Sequence, residues 1–371
     1  MKRTVRLSMS ILVVMTLLML LSLVGSAQTA EDWNEIVKAA SKEGKVVVYS
    51  TTSRIMAAAE AFQQKTGIKV EAHRLSETEL IERVYQEARA GIKSVDLVLI
   101  EDFPSMKELL VTPGYLVNYI PPSAREAVPE SMHNPLVFAH VSRVIGYNSE
   151  KYETAPFESI WDLTTPQWKG KVMIRDLALT GEHQNAFTEL IRRSDELAAD
   201  YEKRFGKKLE LREENAGLEF LRRLSENDII IMTSDTRIAE AVGKKGQEDP
   251  PVGFFYVYSK HRDAEAKNLA IEAAVDLKPF AGYYYDIYLQ LFSNPPNPNA
   301  AKLFADYLMS PEGFVPWSSD IGIYASNTAT EHHPQDMPWE WWESRLWTYD
   351  PDFAIQNRGI VLDAWIRSVS K

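Results

Sequence analysis

Residues 46–54, VVVYSTTSR, contain the pattern from which the fold class can be predicted. Its first half is a short β-branched apolar run, which is typical of a strand buried on both faces of a parallel sheet. Small hydroxyl residues and Arg54 follow, and Ile55 and Phe62 then recur at helical spacing until Gly67. We therefore predict a strand that ends in a polar loop and continues into a helix N-terminus. Open α/β sheets bind their ligands at such places.

Two later stretches repeat this arrangement. Residues 229–237, IIIMTSDTR, are an apolar run followed by hydroxyl residues, an aspartate and an arginine, and residues 172–176, VMIRD, lead through LTGE at 179–182 into another helical pattern. Helix N-termini favour anions, and arginine adds a fork of donors. The alternative is that these residues are ordinary helix caps and solvated side chains. The site that the three loops predict consists of Thr51, Thr52, Ser53, Arg54, Thr180, Gly181, Ser234, Asp235, Thr236 and Arg237.

The composition restricts the class of protein. A chain of 371 residues with 45% hydrophobic content suffices for about two domains. The net charge of −11 argues against a nucleic acid partner, although a local basic pocket remains compatible with it. The absence of cysteine excludes disulfide scaffolds, thiolate metal sites and cysteine nucleophiles. We expect a monomer without a cofactor.

The N-terminal segment has the three parts of a secretory signal. Residues 1–6 are basic, residues 9–24 are almost wholly apolar, and Gly25-Ser26-Ala27 offers small residues for cleavage after Ala27. Loss of the three leader cations would take the net charge from −11 to −14. The apolar run is shorter than the ~20 residues that a membrane-spanning helix needs. We expect a signal peptide at 1–27 and a periplasmic mature protein without a lipid anchor.

Strand and helix patterns alternate over the first part of the mature chain, which predicts a mainly parallel sheet with right-handed crossovers. A third buried strand, 95–100, ends at Glu101. Two longer strands, 136–148 and 275–291, are predicted to cross between domains. The predicted fold class is α/β with two lobes, each a mainly parallel sheet flanked by helices. Lobe 1 is expected to contain residues 31–140 and about 282–371, and lobe 2 residues 141–281.

The sequence resembles the extracellular solute-binding proteins of ABC importers, in the group that contains ferric-ion, thiamine, and phosphorylated-sugar or phosphonate binders. The resemblance implies a two-lobed, type II-like periplasmic-binding fold with the ligand between the lobes. It also implies a membrane permease with its ATPase as the partner. The matching stretches are residues 45–70, 95–102, IGYN at 145–148, WDLTTPQWKGK at 161–171, Thr180-Gly181 and PNAAKLFADYLMSPEGF at 298–314.

The resemblance leaves the ligand open. In ferric members a histidine often lies in the first loop and adjacent tyrosines follow a later strand, where this chain has Ser53 and, near the tyrosine positions, Asp235 and Thr236. These departures, together with Arg54 and Arg237, favour a small anionic organic solute such as a phosphonate, sugar phosphate or carboxylate.

Two other functions stay open. Glu101 looks like a retained acidic ligand of the ferric members, and Tyr283 and Tyr285, on one face of a strand, would complete a ferric set with it. The tryptophan-rich C-terminal segment is also compatible with a secreted glycan-active enzyme. Neither a G-x-S-x-G nor an H-E-x-x-H motif is present in the sequence, so we assign no catalytic residue and expect no enzymatic activity.

Overall fold

The computed structural model describes residues 32–369, so the predicted leader and its cleavage site lie outside the described residues. The strands are β1 (Lys45–Ser50), β2 (Lys69–Arg74), β3 (Leu97–Ile100), β4 (Leu116–Val117), β5 (Val137–Asn148), β6 (Val172–Arg175), β7 (Ile230–Met232), β8 (Val252–Val257), β9 (Ile271–Ala273), β10 (Gly282–Phe292), β11 (Ile323–Ala325) and β12 (Leu346–Trp347). The helices are α1 (Trp33–Glu43), α2 (Arg54–Thr66), α3 (Glu77–Arg89), α4 (Phe103–Met106), α5 (Pro122–Arg125), α6 (Gly181–Arg192), α7 (Ser194–Phe205), α8 (Ala216–Glu226), α9 (Asp235–Gly243), α10 (Pro298–Met309), α11 (Pro311–Ser318), α12 (Trp339–Glu343) and α13 (Pro351–Val369). Within residues 32–369, no helix combines the length and the apolar character needed to cross a membrane.

The opening stretch folds as its pattern predicts. β1 is buried from Val46 onward and pairs in parallel with β2 on one side and β3 on the other. α2 begins at Arg54 and ends at Gly67, whose φ of 75° lies in the left-handed region that glycine adopts without strain. The strand, the loop and the helix N-terminus are therefore present as one unit.

A single mixed sheet runs through both lobes in the order β2-β1-β3-β10-β5-β8-β6-β7. The outer strands on each side are parallel to one another. β5 and β10 are antiparallel, lie in the middle, and belong to both lobes. The distal end of β10 pairs with β3 in lobe 1, and the distal end of β5 pairs with β8 and β9 in lobe 2. This is the expected two-lobed arrangement with two crossover strands.

The second crossover strand begins later than expected. The sequence predicts a strand over 275–291, whereas β10 spans Gly282–Phe292. A short β9 and a non-regular connection precede it. The apolar residues of that connection, such as Leu277 and Phe280, are buried although they are not in a strand. The predicted strand begins too early because the buried apolar residues before Gly282 have the same pattern as a strand.

The C-terminal segment packs against elements of both lobes. α13 packs against α6 and α8, which belong to lobe 2, and also against α4 of lobe 1. Residues of the tryptophan-rich segment pack closer to the crossover strands: Trp339 stacks on His140 of β5, and Trp347 in β12 pairs with Tyr283 of β10. The segment after β10 therefore contacts elements on both sides of the crossover strands.

Candidate functional site

A cavity of about 260 Å³ lies between the two lobes. Its walls come from the loop after β1, the ends of β2 and β3, the loop before α6, the start of α9, and both crossover strands. Polar strand ends of both lobes meet here, as the ligand sites of open α/β sheets do. The predicted ligand residues that line the cavity are Thr51, Thr52, Ser53, Arg54, Glu101, Thr180, Asp235 and Tyr285.

The loop after β1 is shaped by its own hydrogen bonds. Thr51 Oγ1 donates to Glu101 Oε1 at 2.7 Å, which joins the ends of β1 and β3. Thr52 Oγ1 accepts from the backbone N and from Nη1 of Arg54, each at 3.3 Å. Ser53 precedes α2 but makes no side-chain capping bond. The Ser53 hydroxyl therefore does not cap the N-terminus of α2.

One side of the cleft is cationic. Arg54 forms an ion pair with Asp320, and Arg262 Nη1 lies 2.9 Å from the same carboxylate. Burial and the nearby Arg262 lower the pKa of Arg54 to about 10. Lys260 lines the same side, and burial followed by Arg262 lowers its pKa too. Among the described residues the Lys260 ammonium has no ion-pair or hydrogen-bond partner, so it is a positive charge available to a ligand.

The floor of the cleft is a buried ionic network on lobe 2. Asp235 Oδ1 accepts from Arg143 Nη1 at 3.0 Å, and its Oδ2 from Arg175 Nη1 at 3.1 Å. Arg143 also pairs with Glu182 at 3.2 Å and donates to the carbonyl of Phe255. Burial alone would raise the pKa of Asp235, but the two arginines hold it below its usual value. Asp235 is thus ionised and fixes both guanidinium groups.

Three residues of the loop at α9 lie away from the cleft although the sequence predicts them as ligand contacts. Ser234 caps the helix, since its Oγ accepts from the Arg237 backbone N at 3.5 Å. The Arg237 side chain is exposed, and Thr236 does not line the cavity. Successive helix residues point about 100° apart, so of residues 234–237 only Asp235 lines the cavity.

Gly181 and Tyr283 also lie outside the cavity. Gly181 begins α6 and lies against Asp102 of lobe 1, in a separate cavity on the far side of Thr180. Tyr283 is buried edge-on against Phe255, with ring centroids 5.0 Å apart. Tyr285, two residues further along the same face of β10, does line the cleft. Tyr283 instead belongs to the core beneath it.

The structure adds ligand-facing residues that sequence reasoning missed. Arg143 and Arg175 line the cavity, as do Lys260, Glu77 and Trp317. Arg143 stands inside a strand whose other residues are mostly apolar, and a charged residue in an otherwise buried strand was the signal that was available. No sequence signal marked Trp317, which comes from α11 and reaches the cleft only through the fold.

Several buried polar atoms on the cavity wall lack a hydrogen-bond partner among the described residues, and two of them do not belong to arginines. The indole N–H of Trp317 and Oε1 of Glu77 make no hydrogen bond within the described part of the chain. The other oxygen of Glu77 accepts from the Glu182 backbone N at 3.3 Å across the lobe boundary. Burial, then Asp102, Glu101 and Glu182, raise the pKa of Glu77 well above its usual value. Buried polar groups are normally satisfied, so these two atoms point to a ligand.

Two of the three predicted ferric ligands line the cavity. Glu101 and Tyr285 line the cavity, whereas Tyr283 does not. Burial raises the pKa of both tyrosines well above the usual value, with Glu182 acting in the same direction on Tyr283 and Glu101 on Tyr285. This opposes the phenolate form. Within residues 32–369, no group of three or more His, Cys, Asp or Glu side chains is arranged to hold a metal ion.

The fold and the cleft correspond to a known family. The sequence model of the bacterial extracellular solute-binding proteins matches residues 57–344, more than three quarters of the chain. The chain therefore belongs to this family, and it is the solute-binding component of an ABC importer, as its motifs predicted. The family is one of binding proteins.

Solved structures share the fold over most of the chain. Iron-bound HitA from Pseudomonas aeruginosa superposes with a TM-score of 0.68 at 17% identity, covering 87% of this chain and 99% of its own. AfuA from Actinobacillus pleuropneumoniae, with fructose 6-phosphate bound, gives 0.67 at 16% identity and covers 88% and 98%. Apo ferric ion-binding protein A from Pasteurella haemolytica gives 0.66 at 18% identity, also covering 88% and 98%. At these identities the likeness defines the fold and leaves the ligand open.

Proposed function

We propose that the protein captures a small organic anion that also carries hydroxyl groups, such as a sugar phosphate, and delivers it to a membrane permease and its ATPase. The observation that carries this proposal is the charge of the cleft. Cationic side chains outnumber acidic ones on the cavity wall by five to three, in a chain whose net charge is −11. The five cations are Arg54, Arg74, Arg143, Arg175 and Lys260, and the three acids are Glu77, Glu101 and Asp235. An electropositive cleft in an acidic protein attracts anions selectively.

A cation and a donor that lack partners among the described residues would bind the anionic group. Lys260 has no partner among the residues described, and the Trp317 N–H is unsatisfied. A phosphate or carboxylate offers charge-assisted acceptors to both. The Thr180 and Ser259 hydroxyls at the same cavity add neutral donors.

The carboxylates of the cleft favour hydroxyl groups on the same solute. Glu101 already accepts a hydrogen bond from Thr51, and Glu77 has an unpartnered oxygen. A simple anion without hydroxyl groups would leave these oxygens unsatisfied, which is costly for buried polar groups. The cavity of about 260 Å³ has room for about nine water molecules at their ~30 Å³ share of liquid volume, which suits one sugar unit.

Export and partner are part of the same proposal. The leader would direct the chain to the periplasm, where the closed, loaded form would dock on the permease. The ferric ion stays the second candidate, because Glu101 and Tyr285 both line the cavity. It is the weaker one, since Tyr283 lies in the core beneath the cleft.

Native mass spectrometry of the gently purified mature protein tests the ligand class. We expect an organic adduct of a few hundred daltons that is lost on denaturation. Titration calorimetry then compares glucose 6-phosphate with glucose and with hexyl phosphate, and we expect only the hydroxylated phosphate to bind tightly. A bound iron with a tyrosinate absorption band would replace the proposal by the ferric function.

The variant Lys260→Gln tests whether the Lys260 ammonium binds the anionic group of the solute. Hydrogen bonds to charged groups contribute about 1.5–3 kcal/mol, so the dissociation constant for the bound phosphate should rise about 10–100-fold. Arg237→Gln removes an exposed cation of the same lobe outside the cleft and serves as the control. Equal effects of the two variants would contradict the assignment of Lys260 to the site.

A further inference from the structure

The C-terminal helix lies outside the part of the chain that matches the family. The match ends at residue 344, and α13 begins at Pro351. The helix packs along α6 and α8 of lobe 2. Its buried residues Ala354, Val361, Ala364 and Trp365 form the apolar face of this contact. Lobe 2 is therefore the body that carries most of the helix.

Polar contacts fix the helix and the segment before it to lobe 2. Trp365 Nε1 donates to Asp176 Oδ1 at 2.9 Å, and Asp176 directly follows β6. The backbone N of Asp350, just before the helix, donates to Glu189 Oε1 of α6 at 3.0 Å. Both ends of the helix are thus tied to the same lobe.

One residue of the helix reaches across to lobe 1. Arg358 Nη1 donates to Ser105 Oγ at 2.7 Å and lies 3.4 Å from Asp102 Oδ2, while its Nη2 lies 3.0 Å from Glu108 Oε2. All three partners are in or beside α4 of lobe 1. An exposed ion pair at 2.6 Å between Lys107 and Asp352 adds a second tie to the same segment.

Asp102, one of the acceptors of Arg358, also joins the two lobes through a second hydrogen bond. Asp102 is 3% exposed and accepts from Asn185 Nδ2 of lobe 2 at 2.8 Å. Rotation about the crossover strands would carry α13 away with lobe 2 and leave α4 with lobe 1. Asp102 would then exchange its contacts with Arg358 and Asn185 for contacts with water, so opening costs these inter-lobe bonds.

We propose that α13 is a strap that holds the two lobes closed, and that Arg358 is a positioning residue for solute capture. Opening of the cleft must break the contacts of Arg358 with α4. The strap therefore raises the population of the closed form, and apparent affinity scales with the population of the binding-competent state. Arg358 lies outside the ligand cavity, and its role does not depend on which solute binds.

Distance measurements on the ligand-free protein test the strap without any ligand. The chain has no cysteine, so spin labels can be attached at Ala57→Cys in α2 and Lys203→Cys in α7, two exposed positions in different lobes. Pulsed electron–electron double resonance then gives the distribution of distances between the two spin labels. In Arg358→Ala we expect the ratio of open to closed molecules to rise on the order of tenfold.

Two further variants distinguish the loss of the strap's inter-lobe contacts from a general loss of stability. Arg367→Ala removes an exposed arginine from the last turn of the same helix and should leave the distribution unchanged. Lys107→Ala breaks the exposed ion pair with Asp352 and a cation–π contact with Phe103 inside lobe 1, and it should shift the distribution in the same direction by less. Distributions for Arg358→Ala and Lys107→Ala that both match the parent would overturn the proposal. A shift in Arg367→Ala equal to that in Arg358→Ala would do the same.

Discussion

Arg143 stands in the middle of β5, and its side chain is 2% exposed. It pairs with Glu182 and with Asp235, which come from two different helices, so one guanidinium compensates two buried carboxylates. We predict that Arg143→Met lowers the free energy of unfolding by about 3–5 kcal/mol at pH 8, since removal of one partner leaves buried charge unpaired. Urea unfolding measures this loss.

The loss should be smaller at pH 5. Without Arg143 the two carboxyl groups relieve their burial by protonation, which acid favours. Arg237→Met is the matched control, because the Arg237 side chain is exposed, and it should change stability by no more than ~0.5 kcal/mol. A destabilisation of Arg143→Met that is equally large at both pH values would argue for lost packing rather than lost charge compensation.

Helix α6 begins at the lobe boundary, and its first residue sets how closely the lobes approach. A Cβ atom on Gly181 would lie 2.1 Å from Asp102 Oδ2 of the other lobe. We predict that Gly181→Ala weakens binding of the solute about tenfold, because Asn185, Ser105 and Arg358 hold the Asp102 carboxylate in place and the methyl group therefore pushes the lobes apart. Titration calorimetry with the solute recovered from the native protein measures the change.

Gly359→Ala is the control for this substitution, since a Cβ there meets no atom within 4 Å. It should leave affinity unchanged. Alanine is also the better helix former, so neither variant should lose much stability. Unchanged affinity in Gly181→Ala would mean that the lobes do not need this close approach.

Sequence patterns predicted elements better than the directions of their side chains. The apolar run, hydroxyl loop and helix at residues 46–67 were identified because period and capping chemistry are local. The loop at 233–237 was identified too, yet only Asp235 faces the cleft, since the direction of each residue depends on the rotation of α9. Lys260 and Trp317 could not be found, because only the sheet order brings their segments to the site.

Acidic side chains of both lobes are buried where the two lobes contact each other. Glu182 of lobe 2 donates its backbone N–H to Glu77 of lobe 1, and both side chains are buried in this conformation. Burial raises the pKa of Glu182 to about 7 against the opposing effect of Arg143, and that of Glu77 is raised as well. If opening returns Glu182 to water, its pKa falls toward the ordinary value of 4.5. The closed form then holds more protons than the open one between about pH 4.5 and 7.

The open form should therefore gain population as pH rises through this window. For one group the closed form loses about 1.4 kcal/mol per pH unit while the two states differ by one proton. The inter-lobe distance distribution at pH 5 and pH 8 measures this shift.

Burial lowers the pKa of His183, so its return to water on opening would make the open form lose population as pH rises, which is the opposite direction. The comparison is therefore made with Glu182→Gln, which keeps the shape, cannot titrate, and should flatten the dependence. A dependence that is as steep in Glu182→Gln as in the parent would assign the linkage to other groups and leave Glu182 without a part in closure.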